Sequence, residues 1–249
     1  MDWHARFRQQ AGWTRELRGY LLTRAGLQAA ERVLEVGCGT GVLLEGLACP
    51  AALHGLDMDA GRLSEAQAHA PAAHLACGDA LHLPYPRQTF DLVFCHFLLL
   101  WVSDPLQALL EMKRVTRPGG SVLALAEPDH SARVDAPAPL AVLGRWQTRA
   151  LAKQGADPGL GGRLDGLFRS AGLELVEAGR LQALSTPHLT SQAERDLEWE
   201  VLLADLAGSV APRRLARLKH IDEQAWLAGT RRLVVPTHFA WGRVQMPMV

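Results

Sequence analysis

Val33-Leu34-Glu35-Val36-Gly37-Cys38-Gly39-Thr40-Gly41 is the stretch on which the reading of this chain turns. An apolar strand, Arg32 to Val36, carries an acid near its end and runs into three glycines at alternate positions. Glycines spaced in this way let backbone turn sharply and let a ligand approach with no Cβ between. A helix from Gly41 to about Ala48 follows, so the loop offers its N–H groups at a helix N-terminus. Strand, glycine loop and helix together predict a nucleotide-type cofactor loop opening an α/β sheet.

The details select among such loops. A dinucleotide fingerprint sets its third glycine one residue later, where this chain has Val42. A phosphate-cradling loop ends in Gly-Lys followed by Ser or Thr, which is also missing here. Glu35, two residues before Gly37, would repel a pyrophosphate but suits a ligand with an ammonium group. Glu-x-Gly-x-Gly-x-Gly after a strand resembles the first motif of the class I S-adenosylmethionine-dependent methyltransferases, whose cofactor ends in an amino acid. A tight strand-to-helix turn with no ligand would use the same glycines.

Further motifs follow in that family's order. They are Gly55-Leu56-Asp57-Met58, then Gly78-Asp79-Ala80, then Leu83-Pro84-Tyr85-Pro86 with Thr89-Phe90-Asp91-Leu92-Val93. Arg114-Val115-Thr116-Arg117-Pro118-Gly119-Gly120 closes the series. From Arg32 to about Pro128 the chain is similar to the small-molecule group that includes ubiquinone and menaquinone biosynthesis enzymes. The resemblance implies a doubly wound, seven-stranded, Rossmann-like α/β sheet with six strands parallel and the last antiparallel. It implies S-adenosyl-L-methionine as cofactor. Glu35 would then hold the ammonium, with Gly37, Cys38 and Gly39 passing the methionine moiety and Gly41 admitting the helix. Asp57 has two oxygens for the ribose hydroxyls, as the acid does in nucleotide folds; its alternative role is to cap the next helix, which Asp59 also suits. Met58 would lie against the adenine, Asp79 after Gly78 would accept from the adenine amino group, and Ala80 would offer its N–H. Cys95 would border the cofactor, and Arg18 (or Arg15) would balance the cofactor carboxylate.

Hydrophobic periodicity places these motifs on elements. Residues 1–30 read as helix, Ala51 to Leu56 and Ala73 to Cys77 as strands, and Ala60 to His69 as helix. Phe90 to Cys95 is apolar without alternation, as in a parallel strand covered on both faces. Asp104-Pro105-Leu106-Gln107 reads as an N-cap, a first-turn proline and a capping box, and Ser121 to Ala126 as a fifth strand. Leu140 to Lys153 and Arg163 to Ala171 read as helices, Leu173 to Leu184 and Arg232 to Val244 as strands. Ser191 to Leu227 reads as two helices broken at Pro212, a helical insertion near 186–230 between the last two strands. The expected plan is one domain over 1–249: a helical lid at 1–30, a cofactor half at 31–128 and a substrate half at 129–249.

Composition narrows the function. The 249 residues are 48% hydrophobic and 21% charged, an ordinary globular balance. Lys plus Arg and Asp plus Glu are 26 each, so no global field recruits nucleic acid or an anionic membrane. No apolar run reaches membrane-spanning length, and the first residues lack the apolar block of a signal peptide. Cys38, Cys49, Cys77 and Cys95 form no Cys-x-x-Cys pair, which argues against a zinc or disulfide framework. A cytoplasmic protein is expected.

Methyl transfer from a sulfonium needs alignment first and a base only where the acceptor holds its proton tightly. Ligands of parallel sheets sit beyond the carboxyl ends of the strands. Cys95-His96-Phe97 follows the fourth strand, and Glu127, Asp129 and His130 follow the fifth. His96 is the candidate base, titrating near neutrality when unperturbed; a structural pocket histidine is the alternative. Cys95-His96-Phe97-Leu98 stands where base-amino methyltransferases often carry an acidic or amide Pro-Pro-aromatic tetrapeptide, which disfavours a nucleic-acid substrate. A small, partly apolar acceptor is expected, walled by Trp3, Trp13, Trp101 and Trp146. The competing readings are a non-catalytic cofactor-binding partner subunit and, against Val42 and Glu35, a nicotinamide oxidoreductase.

Overall fold

The computed structural model describes residues 2–181 and 191–246. Its centre is a sheet of seven strands: β1 Arg32–Val36, β2 Ala52–Asp57, β3 His74–Cys77, β4 Phe90–Cys95, β5 Thr116–Pro128, β7 Glu174–Leu181 and β9 Thr237–Arg243. Their order is β3-β2-β1-β4-β5-β9-β7. β9 runs antiparallel to both neighbours and the other six strands are parallel, as expected from the sequence. The order reverses between β1 and β4, and ligands in open α/β sheets bind beyond the strand ends at such a point.

Alternate residues of the central strands feed two cores. Leu34, Val36, Val93, Cys95, Val122 and Ala124 pack with Leu109 and Met112 of helix α5 (Pro105–Val115) and Phe168 of α7 (Leu164–Ser170). On the opposite face Val33, Leu92, Phe94, Leu123 and Trp241 pack with Leu21 and Leu22 of α2 (Arg15–Arg24). A third core joins α6 (Ala141–Lys153), α8 (Gln192–Asp205) and α9 (Pro212–Leu227) through Leu143, Trp199, Leu202 and Leu215. Of these, α8 and α9 are the expected helical insertion between the last two sheet strands. Its start at 186, like the extension of β7 to Leu184, lies outside the described residues.

Several expectations shift, each for a local reason. The expected single helix over residues 1–30 is two helices, α1 (Trp3–Trp13) and α2, broken at Thr14, whose φ of −106° leaves the helical region, followed by a short 3₁₀ turn at Leu27–Ala29. α3 is only Val42–Glu45, because Gly46 follows it. Gln107 does not complete a capping box: Asp104 accepts from the Gln107 N–H at 2.9 Å, but the Gln107 side chain donates to the Leu81 carbonyl at 3.2 Å. The expected strand 232–244 is divided by Pro236, which cannot donate to a ladder. Its first part, β8 (Arg232–Val234), pairs antiparallel with β6 (Val134–Ala136) in a separate two-stranded sheet that the sequence reading did not separate.

That small sheet ties the insertion to the main domain through buried charge. Arg133 engages Asp135 through Nε at 2.7 Å, Arg231 reaches the other Asp135 oxygen at 2.7 Å, and Arg231 also pairs with Asp222. Trp199 Nε1 donates to Asp222 at 2.8 Å. Every partner here is needed, because an unpaired buried charge costs several kcal/mol.

Glu127 organises the loop after β4. It is fully buried, and its carboxylate accepts from the N–H groups of Leu98 (3.0 Å), Leu99 (2.9 Å) and Leu100 (3.3 Å). Burial raises its pKa to about 7, although those three N–H groups pull the other way. The folded value lies above the ordinary 4.5, so Glu127 favours folding fully below about pH 4.5. That contribution, roughly 3 kcal/mol, is lost as pH rises through about 7. Denaturation midpoints from pH 4.5 to 8 should therefore fall less steeply in Glu127→Gln than in the native chain. Parallel slopes would contradict the assignment.

Candidate functional site

Helix α4 (Ala60–His69) begins just after the two acids at the end of β2. Asp59 caps it, with Oδ1 accepting from Gly61 N at 2.9 Å and Arg62 N at 3.2 Å. Asp57 is left to face the glycine loop: Oδ2 accepts from Gly39 N at 2.8 Å and Oδ1 from Asp59 N at 3.0 Å. Each oxygen keeps a second lone pair. Gly37, Gly39 and Gly41 have φ of 75°, 52° and 79°, a left-handed region that side chains other than glycine's rarely adopt. Gly37 and Cys38 both donate to the Leu56 carbonyl, so β1 and β2 fix the loop from below.

This loop opens on a cavity of about 720 Å³ at the carboxyl ends of the strands. Glu35, Gly37, Cys38, Gly39 and Asp57 line one part of it, and Met58, Gly78, Asp79 and Ala80 continue that wall. Met58 is 79% exposed, an apolar surface with nothing packed on it. Asp79 uses Oδ1 to accept from Leu81 N at 2.9 Å, a local turn, and its other oxygen faces His82 at 3.8 Å. Thus most of the residues singled out in the sequence meet in one cavity.

Three do not line it. Gly41 sits below, where an added Cβ would lie 3.2 Å from Ala66 of α4, so its lack of a side chain lets α3 and α4 pack. Cys95 is fully buried with its sulfur 4.0 Å from Glu127, and burial pushes its thiol up. Arg18 donates to the Ala11 carbonyl at 2.8 Å and to Thr14 Oγ1 at 3.0 Å. It closes the end of α1 and reaches the site only through its charge.

Glu35 is the unusual group. It is 3% exposed, its Oε2 has no hydrogen-bond partner, and burial raises its pKa well above the carboxylate range. The Arg18 charge opposes that rise and Asp57 adds to it. A buried acceptor with no donor costs free energy comparable to a lost hydrogen bond. Facing a cavity, it is an acceptor waiting for a donor.

His96 lines the cavity with its Nε2 2.9 Å from Thr14 Oγ1. Burial and the nearby Arg18 lower its pKa to about 3. The ring is therefore neutral at neutral pH and resists protonation, which does not favour the expected role as a base. Phe97 beside it has φ 53°, a strained conformation held by its N–H on the Ala126 carbonyl at 2.9 Å and by the Glu127 cap on the next residues.

The far wall was not legible in advance. Arg6 pairs with Glu198 across from α1 to α8, and Gln9 donates to the Glu194 carbonyl at 3.0 Å. Arg133, Gln147 and Asp205 also face the cavity, with Gln147 Nε2 donating to Asp205 at 2.8 Å. His130 joins them; its Nδ1 is buried without a partner, and burial together with Arg133 and Arg6 lowers its pKa to about 3. Asp129 caps the turn that follows it. Of the four tryptophans, Trp3, Trp13 and Trp101 line the cavity, whereas Trp146 packs in the insertion under Arg214.

Known proteins resemble this chain in sequence over part of its length and in fold. A family model described as a methyltransferase domain matches residues 34–124. The chain is 39% identical over 124 residues to a demethylmenaquinone methyltransferase of Renibacterium salmoninarum, covering 48% of this chain and 50% of that one. It spans about half the length of the curated relatives it matches. Among solved structures, a Bacillus halodurans protein assigned as a methyltransferase superimposes with a TM-score of 0.65 at 17% identity, over 92% of this chain and 98% of that one. A Haemonchus contortus phosphoethanolamine N-methyltransferase in complex with S-adenosyl-L-methionine gives 0.61 at 15% identity, over 93% and 53%. These two likenesses concern the fold. The matched segment, the curated relatives and the sheet order agree, and over residues 34–124 the chain resembles a methyltransferase domain.

Proposed function

We propose that the protein transfers a methyl group from S-adenosyl-L-methionine to a small, partly apolar acceptor by in-line displacement. The observation that carries this reading is Glu35 Oε2, buried and unpartnered on the wall of the same cavity as Asp57 and the bare face of Met58. An ammonium supplies the missing donor and the missing countercharge together. The spare lone pairs of Asp57 suit two ribose hydroxyls, Met58 offers the adenine a polarizable face, and Asp79 with Ala80 lies at the adenine end. When bound, S-adenosyl-L-methionine brings an electrophilic methyl on its sulfonium.

The rest of the cavity belongs to the acceptor. Trp13, Phe97 and Trp101 give it apolar walls, and the polar groups of the far wall turn the acceptor's polar end. These residues exclude water and align; none of the cavity's histidines takes a proton readily, so the reading suits an acceptor atom that reacts without strong base assistance. Among the described residues no helix is long and apolar enough to cross a membrane. Free Cys38, Cys49, Cys77 and Cys95 fit a reducing compartment, and the cytoplasm is proposed.

Isothermal titration with S-adenosylmethionine and S-adenosylhomocysteine should give micromolar binding and none with NADH. Asp57→Ala should weaken that binding at least about tenfold, which is about 1.4 kcal/mol, while circular dichroism stays native. Unchanged affinity would contradict the ribose assignment.

Glu35 gives a second test. Its raised pKa must fall when a cation docks beside it, so binding should release a proton across the pH range in which the free Glu35 titrates. Titrations in buffers of different ionisation enthalpy should show the release in the native chain and lose it in Glu35→Gln. Equal proton release in both would place the ammonium elsewhere. Binding with no methyl transfer to any screened acceptor would favour the non-catalytic partner-subunit reading.

A further inference from the structure

His4 on α1, Glu45 at the end of α3 and His69 at the end of α4 converge beside the glycine loop, away from the cavity lining. One ligating atom from each lies within 4.8 Å of the other two. His4 Nδ1 is 2.9 Å from Thr40 Oγ1, while its Nε2 is buried with no partner. With the proton on Nδ1 and Thr40 accepting it, Nε2 presents a bare lone pair. A hydrogen bond on the second ring nitrogen is the usual way in which proteins orient a metal-bound histidine and set its tautomer.

We propose that His4, Glu45 and His69 form a binding site for a divalent transition ion of the zinc type. Two imidazoles and one carboxylate are the borderline donors that such ions prefer, and three protein ligands leave a position for water. The chain places one ligand on each of three helices, so an ion would tie α1 to the body of the domain. That attachment matters because α1 carries Arg6, Phe7 and Trp13 of the cavity wall.

The two imidazoles are stacked, with centroids 3.6 Å apart and planes at 14°. An ion held by both must lie near both ring planes, so one ring has to turn. Among the described residues His69 has no hydrogen bond to fix its ring, and it sits half-buried at the last position of α4. His4 is held by Thr40 and stays. The same stacked contact packs the two rings together when no ion is present.

The test is a titration of tag-free, full-length protein with Zn²⁺ against a chromophoric chelator. The native chain should withdraw one equivalent from the chelator. His4→Ala and His69→Ala should each bind at least about tenfold more weakly, and Thr40→Val, which removes the orienting bond, about tenfold. His74→Ala should bind as the native chain does: it alters the other histidine pair, His54 and His74, on the distal strands. Glu45→Gln changes an exposed side chain and keeps the test decisive if a histidine variant fails to fold. No withdrawal by the native chain, or native affinity in His69→Ala and Glu45→Gln, would overturn the proposal.

Discussion

A carboxylate without a donor, buried at the end of a central strand, is the constraint around which the cavity is arranged. Glu35 cannot retreat, because β1 pairs with β2 on one side and β4 on the other. Arg18 acts on it through charge, with its Nη1 spent on the Ala11 carbonyl and Thr14 Oγ1. The glycine loop passes over it with its backbone fixed by Leu56 and Asp57. Rigid surroundings and an unmet hydrogen bond make the site a fixed demand for a positive donor, which is preorganisation in its simplest form.

The opposite side of the cavity is built on a different principle. Its polar groups are mostly satisfied by one another: Arg6 by Glu198, Arg133 by Asp135, and Gln147 by Asp205. Such a wall holds its shape while offering leftover donors and acceptors. Because α1 and α8 meet through Arg6 and Glu198, the N-terminal helices and the insertion share control of the mouth. The expected division into lid, cofactor half and substrate half remains our proposal for how these parts work, and the Arg6–Glu198 contact is the place where lid and insertion join.

Much of the cavity wall beside the glycine loop was legible because its residues are local in sequence. Glu35, Gly37, Gly39, Asp57 and Asp79 each stand at a strand end, where turn chemistry and strand pattern mark them. The capping ambiguity at Asp57 and Asp59 is of the same local kind, and backbone donors resolve it. The break at Thr14 was hidden because Phe7, Ala11, Leu17 and Leu21 keep helical spacing across it, and only folding brings His96 to the Thr14 hydroxyl. Arg133, Gln147, Glu198 and Asp205 were illegible for a further reason. They come from distant elements and look like ordinary polar residues until folding brings them to one wall. His96 is disfavoured as a base for an environmental cause that no spacing reveals, its burial beside Arg18.

The most direct measurement of the central claim is a crystal structure with S-adenosylhomocysteine bound. The account predicts the ligand ammonium within hydrogen-bond distance of Glu35 and the ribose hydroxyls on Asp57, with the thioether sulfur facing the half of the cavity walled by Trp13, Phe97 and Trp101. A ligand lying in the opposite direction, or one whose ammonium leaves Glu35 Oε2 without a partner, would contradict it.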